Sequence, residues 1–266
     1  MFSEIRGDAP AAPIQDAVAL VPAAGRGERL GVGAPKSLRH LGGVPLVVHA
    51  VRRLAAARSV AAVVVAAPPG AVELVRDLLA PVVRNAELVV VEGGATRQES
   101  VAAALAAAPA HCSIVLVHDA ARALAPPELA DAVAAAVRAG HPAVVPVLPV
   151  VDTVRQLDVD GMASSTLDRE LLRLVQTPQG FQRPVLAEAH SVAGDAVTDD
   201  AGLVERLGLP VHTVPGHPSA LKITRPFDLI VAAALLEAET AGAETAGAET
   251  ARDVSPAEGG MAGSRV

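Results

Sequence analysis

Residues 17–36 read AVALVPAAGRGERLGVGAPK, a short apolar run followed by a loop rich in glycine and positive charge. The apolar run predicts a strand covered on both faces, because parallel strands of that kind are continuously apolar. Glycines let backbone N–H groups point at anionic oxygens, and Arg26, Arg29 and Lys36 supply compensating charge. We therefore predict a phosphate-binding loop at the end of a buried strand, with an ordinary strand-to-helix turn as the alternative.

Neither of the two common phosphate-binding fingerprints fits this loop. The dinucleotide fingerprint requires a third glycine where Leu30 stands, and an acidic residue about 20 residues further on, where residues 43–48 read GVPLVV. The Walker A loop requires a glycine directly before its lysine, whereas Pro35 precedes Lys36 here. These departures disfavour a dehydrogenase and a P-loop enzyme, so the loop would hold phosphate in another way.

Strand-like and helix-like segments alternate along the first part of the chain. Such an alternation predicts βαβ units, and hence an α/β fold with a Rossmann-like, mostly parallel sheet flanked by helices. The predicted strands are 17–21, 61–67, 87–92, 113–119 and 143–150, and the predicted helices are 44–57, 70–79, 98–107 and 126–139.

The alternation stops at residue 151. Residues 151–176 alternate apolar and polar side chains around Asp160-Gly161, which predicts a hairpin rather than another βα unit. We interpret residues 151–173 as a β-arm that projects from the sheet. The elements predicted after the arm are helices at 184–193 and 199–207, a strand at 210–214 and a closing helix at 226–237.

The two ends of the chain differ in composition from the middle. Residues 1–14 and the tail 238–266, which contains a repeated AETAG unit, have few large apolar side chains. Both ends are predicted to be disordered, with weak helix as the alternative for the tail. Residues 15–237 are predicted to form a single domain. The formal net charge is −7, and most of it lies in the two ends, so the acidity says little about ligands.

Composition disfavours several functional classes. Hydrophobic residues make up 51% of the chain but aromatic residues only 1%, which argues against base stacking on single-stranded nucleic acid. No basic surface is indicated, so we expect no nucleic-acid partner. The single cysteine, Cys112, makes no disulfide framework or zinc site. No apolar run reaches the ~18 residues of a membrane span, and no signal peptide is indicated, so a cytoplasmic protein without a membrane partner is expected.

Three of the predicted strands lead directly into polar or glycine-rich loops, at residues 22–36, 92–100 and 118–122. Ligands of open parallel sheets bind at the carboxyl ends of the strands, so we expect these loops to meet in one cleft. In the second loop, Thr96 and Glu99 have capping-box spacing, which predicts that a helix begins there.

Six blocks of the sequence, taken together and in order, resemble one family of enzymes. PAAGRGERLGVGAPK resembles the signature loop of sugar-phosphate nucleotidyltransferases. The other blocks resemble their 2-C-methyl-D-erythritol 4-phosphate cytidylyltransferase branch, which acts in non-mevalonate isoprenoid synthesis. The resemblance covers about residues 17–236. The five further blocks are GGATRQESV (93–101), VHDAAR (117–122), VQTPQGF (175–181), TDDAGLVE (198–205) and KITRPFDL (222–229).

This resemblance implies a reaction and its partners. CMP would pass from CTP to 2-C-methyl-D-erythritol 4-phosphate, giving 4-diphosphocytidyl-2-C-methyl-D-erythritol and pyrophosphate. Crowded phosphates require cations, and Mg²⁺ is the implied cofactor, although other divalent ions would serve. The resemblance also implies a homodimer whose arms are exchanged, so that each site for CTP and the polyol phosphate borrows residues from its partner.

Residue roles follow from the same resemblance. The implied catalytic residues are Arg29 on the triphosphate, Lys36 on the α-phosphate, Asp119 and Lys222, and Asp119 is also a candidate magnesium ligand unless CTP and water hold the ion. The implied nucleotide contacts are Ala23, Ala24, Gly25, Gly27, Gly93, Gly94, Ala95 and Ser100. The implied acceptor contacts are Arg122, Thr153, Arg169 and Thr198.

The residues alone leave other interpretations open. A simple ion pair between Asp119 and Arg122, or solvated lysines, would explain the same charges without a substrate. A ribitol-5-phosphate cytidylyltransferase would share the nucleotide chemistry, and a non-catalytic nucleotide-binding protein would share the fold. Glu28 places an acid in the triphosphate loop, and we expect its side chain to point outward.

Overall fold

The computed structural model describes residues 14–25, 35–192 and 199–253 of the chain. Four residues with predicted roles, Arg26, Gly27, Arg29 and Thr198, lie outside these ranges, as do Glu28 and the predicted disordered residues 1–13 and 254–266. In chain order the elements are β1 (Ala17–Pro22), β2 (His40–Leu41), β3 (Val44–Pro45), α1 (Leu46–Ala56), β4 (Val60–Ala67), α2 (Val72–Leu79), β5 (Glu87–Glu92), α3 (Arg97–Ala106), β6 (Ile114–Val117), α4 (Pro127–Arg138), β7 (Ala143–Pro149), β8 (Val154–Leu157), β9 (Ala163–Leu167), β10 (Arg173–Val175), β11 (Gln179–Gln182), α5 (Arg183–Ser191), α6 (Asp200–Arg206), β12 (Val211–Pro215) and α7 (Pro226–Asp253).

A mixed sheet of eight strands forms the centre of the described structure. The hydrogen-bonded order is β5, β4, β1, β6, β11 and β7, and β10 and β12 also pair with β7. The pairs β1–β4, β1–β6, β4–β5 and β7–β12 are parallel, whereas β10 and β11 run antiparallel to their neighbours. The predicted α/β class with a mostly parallel sheet is confirmed.

The first strand lies in the middle of the sheet and is covered on both faces. Every residue of the segment 17–21 is fully buried. Ala17, Ala19 and Val21 belong to one core cluster, while Val18 and Leu20 belong to another on the opposite face. This alternation follows from the two-residue period of a strand, and it confirms the interpretation of a continuous apolar run as a doubly covered strand.

Two strands of the sheet, β10 and β11, were not predicted. β11 lies between β6 and β7 and pairs antiparallel with both of them. Its sequence, QGFQ, has only one large apolar side chain and contains a glycine, which weakens a strand signal. Gly180 is required by packing, because a Cβ there would lie 2.4 Å from Val133 Cγ1 of α4. The glycine therefore lets α4 approach the sheet.

The predicted hairpin is present as β8 and β9, which pair with each other in a separate two-stranded sheet. The turn is closed by Asp158, whose Oδ1 accepts the backbone N–H groups of Asp160 and Met162, and Gly161 has a φ of 80°. Val159 and Met162 at the tip are exposed. The hairpin thus presents apolar side chains to solvent, away from the main sheet.

The closing helix is longer than predicted. α7 begins at Pro226 as expected but continues to Asp253, so residues 238–253 adopt helix, one of the two alternatives predicted for the tail. Glu239 forms an ion pair with Arg53 of α1. Alanine and glutamate favour helix, and a repeat attached to a packed helix needs no new nucleus. Within the described ranges, no helix has both the length and the apolar character that crossing a bilayer requires.

Candidate active site

The loops after β1, β5 and β6 meet in one cleft at the carboxyl edge of the sheet, which confirms the predicted convergence. The parts of the chain that line the cleft come from these loops, from the short 3₁₀ helix at residues 36–38 and from the segment before α7. The described lining residues are Pro22, Ala23, Ala24, Gly25, Lys36, Ser37, Gly94, Ala95, Thr96, Arg97, Ser100, Asp119, Ala120, Ala121 and Lys222.

Two hydrogen bonds close the base of the first loop. The Lys36 N–H donates to the Gly25 carbonyl at 3.3 Å, and the buried Ser37 hydroxyl donates to the Ala23 carbonyl at 2.7 Å. The two flanks of segment 26–34 are therefore held side by side. As a result, Lys36 lies at the cleft next to the glycine backbone, where the sequence predicted a phosphate-binding cation.

The second loop packs tightly against the first. A Cβ on Gly93 would lie 2.6 Å from Ala24 Cβ, and the Gly93 N–H donates to the Ala67 carbonyl at 2.9 Å. A Cβ on Gly94 would lie 2.3 Å from Glu99 Cβ. Both glycines are needed because the backbone of this loop passes very close to its neighbours.

The predicted capping box is confirmed at the start of α3, where the Thr96 hydroxyl accepts from the Glu99 N–H and the Glu99 carboxylate accepts from the Thr96 N–H. That carboxylate also accepts from the Ala95 N–H at 2.7 Å. The buried Ser100 hydroxyl accepts from the Gly94 N–H at 3.1 Å and donates to the Thr96 carbonyl at 2.9 Å. The N–H groups of Gly94 and Ala95 thus already have acceptors within the loop.

Asp119 carries the negative charge of the cleft. Its Oδ2 lies 2.7 Å from Lys222 Nζ, and its Oδ1 accepts from Arg97 Nε at 3.1 Å. Burial alone would raise the pKa of Asp119, but the two neighbouring cations outweigh it and hold that pKa well below its ordinary value. Asp119 is therefore a carboxylate anion between a lysine and an arginine.

A second buried carboxylate holds the other end of Arg97. Arg97 Nη1 donates to Asp200 Oδ2 at 2.6 Å, and Asp200 Oδ1 lies 2.9 Å from His190 Nε2. Burial disfavours the arginine's charge, but Asp200 and Asp119 outweigh burial and raise the pKa of Arg97. We did not predict a site role for any of the three from the sequence. Arg97 stands between the two capping-box residues, and this position next to the cleft loop was the one available signal.

His118 is buried beside Asp119 but does not line the cleft. Burial lowers the pKa of His118 to about 4, so its imidazole is neutral near pH 7. Its Nδ1 lies 3.0 Å from Thr177 Oγ1 and its Nε2 lies 3.3 Å from the Arg122 carbonyl. Thr177 Oγ1 in turn accepts the Asp119 N–H at 3.1 Å. His118 therefore supports the loop and is not placed to act as a general base.

Several predicted acceptor contacts do not line the cleft of their own chain. Arg122 donates to the carbonyls of Ala220 at 2.7 Å and Val175 at 3.1 Å, and no ion pair with Asp119 forms. Thr153 and Arg169 are exposed on the arm, where Arg169 Nη1 donates to the Val151 carbonyl at 2.6 Å.

Among the predicted nucleotide contacts, Gly93 does not line the cleft but packs behind it, against Ala24. The substrate roles of these residues stay predictions.

The described residues contain no group of three or more His, Cys, Asp or Glu side chains able to hold a metal ion by themselves. Asp119 is the one carboxylate among the described residues that line the cleft. Mg²⁺ commonly binds through one or two carboxylates together with substrate phosphates, so a single carboxylate beside a phosphate loop fits such an ion.

Comparisons with known proteins show the family to which the chain belongs. The sequence profile of the 2-C-methyl-D-erythritol 4-phosphate cytidylyltransferase family matches residues 17–238. Two similar proteins bear that name. One, from Frankia casuarinae, is 57% identical in an alignment that covers 82% of this chain and 80% of the relative. The other, from Streptomyces coelicolor, is 53% identical, with 82% of this chain covering 84% of the relative.

Solved structures show the same relationship. The crystal structure of 2-C-methyl-D-erythritol 4-phosphate cytidylyltransferase from Thermus thermophilus is 40% identical, with a TM-score of 0.66 over 82% of this chain and 97% of that one. The structure of 4-diphosphocytidyl-2C-methyl-D-erythritol synthase from Anaerococcus prevotii is 26% identical, with a TM-score of 0.72 over 83% and 98%. The chain thus belongs to the 2-C-methyl-D-erythritol 4-phosphate cytidylyltransferase family.

Proposed function

We propose that this chain transfers CMP from CTP to 2-C-methyl-D-erythritol 4-phosphate, giving 4-diphosphocytidyl-2-C-methyl-D-erythritol and pyrophosphate in isoprenoid biosynthesis. Family membership supports the activity. The observation that carries it in this chain is the meeting of a glycine-lined loop, Lys36 and the Asp119–Lys222 pair in one cleft. The loop is a candidate for binding phosphate, Lys36 for stabilising negative charge, and the Asp119–Lys222 pair for recognising the acceptor.

The chemistry needs cations more than it needs a base. An oxygen of the acceptor's phosphate forms a bond to the α-phosphorus of CTP, and the bond from that phosphorus to the bridging oxygen breaks, so pyrophosphate leaves. The attacking phosphate oxygen is already anionic, so no proton has to be removed. Preorganised positive charge is then the main contribution of the protein. Lys36 and Lys222 both line the cleft, and Arg29 is proposed to join them on the triphosphate.

The second loop supports selection of cytosine. The N–H groups of Gly94 and Ala95 already have acceptors within the loop. Its backbone carbonyl oxygens have two lone pairs each, so they can still accept from a base even where Ser100 already donates to them, as at Gly94 and Thr96. Cytosine presents an exocyclic amine, which is a donor, where uracil presents an acceptor. We propose that this loop, together with Gly93 and Ser100, reads the base, while Ala23, Ala24, Gly25 and Gly27 present backbone to the nucleotide.

Magnesium is proposed as the cofactor, and it would add positive charge to the crowded phosphates. Both oxygens of Asp119 already accept hydrogen bonds, from Arg97 and Lys222. Each carboxylate oxygen retains a further lone pair, so Asp119 can contribute one ligand. The remaining ligands would come from the CTP phosphates and water.

The acceptor is proposed to bind on the Asp119 side of the cleft, with Lys222 on its phosphate and Asp119 on its hydroxyls. Arg122, Thr153, Arg169 and Thr198 are the proposed further contacts. Because Thr153 and Arg169 lie on the exposed arm, we propose a homodimer in which each arm reaches the partner's cleft. The exposed Val159 and Met162 at the arm's tip support such a contact, since apolar tips are costly to leave in water.

The function is tested by measuring pyrophosphate release from CTP and Mg²⁺ with each acceptor supplied separately. Methylerythritol 4-phosphate is expected to support turnover, and ribitol 5-phosphate is expected to be a poor acceptor. Turnover with ribitol 5-phosphate alone would reassign the acceptor. Folded protein that binds CTP but releases no pyrophosphate with either acceptor would contradict catalysis and favour a nucleotide-binding role.

A further inference from the structure

Five side chains form a row of hydrogen bonds and ion pairs that begins in the cleft and ends in the core. Lys222 Nζ lies 2.7 Å from Asp119 Oδ2, and Asp119 Oδ1 lies 3.1 Å from Arg97 Nε. Arg97 Nη1 lies 2.6 Å from Asp200 Oδ2, and Asp200 Oδ1 lies 2.9 Å from His190 Nε2. Charges alternate along the row from Lys222 to Asp200, so each member has an opposite charge beside it.

The row connects segments that are far apart in the sequence. Lys222 precedes α7, Asp119 follows β6, Arg97 is the first residue of α3, Asp200 is the first residue of α6 and His190 is in α5. Only the first three members line the cleft. Asp200 is 1% exposed and His190 is largely buried, so the inner members have no direct access to a substrate.

Arg97 holds the two carboxylates in a defined geometry. Its Nε and Nη1 lie in one rigid plane and donate to different carboxylates, which a lysine ammonium cannot reproduce. With Oδ1 of Asp119 held by Arg97, Oδ2 is the oxygen presented to Lys222. The orientation of Arg97 therefore decides where the Lys222 ammonium sits in the cleft.

Stability alone is a weak reason for such a row. Buried ion pairs are costly to desolvate, and well-packed apolar residues often do as well or better. The start of α6, which carries Asp200, is itself held in place, since the neighbouring Asp199 accepts from Gln179 Nε2 at 2.7 Å and from the Gly202 N–H at 3.1 Å.

We propose that Arg97 and Asp200 are positioning residues for the transfer reaction. Asp200, held by His190, orients the Arg97 guanidinium, and Arg97 orients the Asp119 carboxylate and through it the Lys222 ammonium toward the acceptor's phosphate. This inference rests on the proposed function. It means that Asp200, which is buried and does not line the cleft, affects the rate of transfer through Arg97.

Asp200→Asn is the main test, because asparagine keeps the size of the side chain and removes its charge. The variant is expected to lower kcat/KM for methylerythritol 4-phosphate by about tenfold or more, the usual effect of losing a hydrogen bond to a charged group. The affinity for CTP, measured by calorimetry without acceptor, is expected to stay close to that of the wild type, because Asp200 does not line the cleft.

Asp16→Asn is the matched control. Asp16 accepts from Arg138 Nε at 3.0 Å, so it is also an aspartate paired with an arginine, but it precedes β1, at the end of the strand opposite the cleft. Its kinetic constants are expected to equal those of the wild type. A comparable loss of acceptor efficiency in Asp16→Asn would mean that any Arg–Asp pair matters, which would overturn the proposal.

A purely structural role for Asp200 has a different signature. It would reduce the melting temperature and the fraction of CTP-binding protein, while the KM for the acceptor and kcat per CTP-binding site stayed at their wild-type values, and that result would overturn the proposal. Wild-type protein with no turnover in the same assay would instead refute the proposed function. The two failures are therefore distinguishable.

Arg97→Lys provides a second variant if Asp200→Asn does not fold. Lysine keeps the positive charge but cannot bridge Asp119 and Asp200 together. The proposal expects the loss of acceptor efficiency to persist in Arg97→Lys at CTP concentrations that saturate the nucleotide site. Full recovery of wild-type efficiency by lysine would show that charge alone suffices, and would overturn the positioning role.

Discussion

Asp119 is a residue whose position is predictable from the sequence and whose partners are not. Asp119 stands two residues after the end of the buried strand β6, so it must lie at the carboxyl edge of the parallel strands, where ligands bind. Its partners Arg97 and Lys222 come from other segments. A positively charged residue gives no sign in a sequence of which carboxylate it will meet, because that depends on how distant loops pack.

A substitution of Lys36 tests the proposed site at the scale of a single residue. Lys36→Ala is expected to lower the rate of pyrophosphate release by about 100-fold or more, because it removes one preorganised donor from the transition state. The KM for the acceptor is expected to change much less than the rate. Steady-state kinetics with Arg52→Ala, which removes an exposed positive charge from α1, provide the control. An unchanged rate in Lys36→Ala would remove that lysine from the catalytic set.

At the scale of elements, β11 and α7 differ from prediction for opposite reasons. β11 has a weak strand pattern but gains its stability from two neighbouring strands, so tertiary pairing overrides local propensity. α7 has a repetitive sequence without large apolar side chains beyond residue 236. It nevertheless continues as helix from a well-packed first half, in which Leu229, Ala232, Ala233 and Leu236 contact the core.

Gly180→Ala tests the packing of β11 under α4. A Cβ would lie 2.4 Å from Val133 Cγ1 and 2.9 Å from Val137 Cγ2, so we expect a loss of about 1–3 kcal/mol in the free energy of unfolding from overpacking. Gly242→Ala in α7 is the control, since nothing lies within 4 Å of the new Cβ. It is expected to leave the protein as stable or slightly more so. Urea unfolding measures both, and equal stability of the two variants would contradict this account of Gly180.

At the scale of the whole molecule, a complete site is proposed to need two chains. The cleft of one chain contains the proposed phosphate and cation groups, whereas Thr153 and Arg169 stand on the arm with no contact to that cleft. The arm is a separate two-stranded sheet with exposed apolar residues at its tip. An exchange of arms between two copies would bring the missing acceptor contacts to each cleft.

Mixing two inactive variants tests this exchange. Lys36→Ala removes a cleft residue and Arg169→Ala removes an arm residue, and each alone is expected to have low activity with the acceptor. When the two are co-expressed, mixed dimers are expected to regain turnover, because one of their two sites then contains neither substitution. Lys36→Ala co-expressed with Asp119→Asn, both in the same cleft, should show no recovery. Absence of recovery in the first mixture, with mixed dimers present, would contradict the exchange of arms.

The sequence by itself determined most of the strands and helices in their order along the chain, the carboxyl-edge position of the ligand loops and the family. Those features depend on local periodicity and short motifs, which the chain carries within a few residues of each other. Only the tertiary structure decided that Arg97 joins Asp119 to Asp200, that β11 enters the sheet and that His118 is buried as a neutral support. Each of these depends on contacts between segments far apart in the chain, where burial and neighbouring charges, rather than residue type, decide what a side chain does.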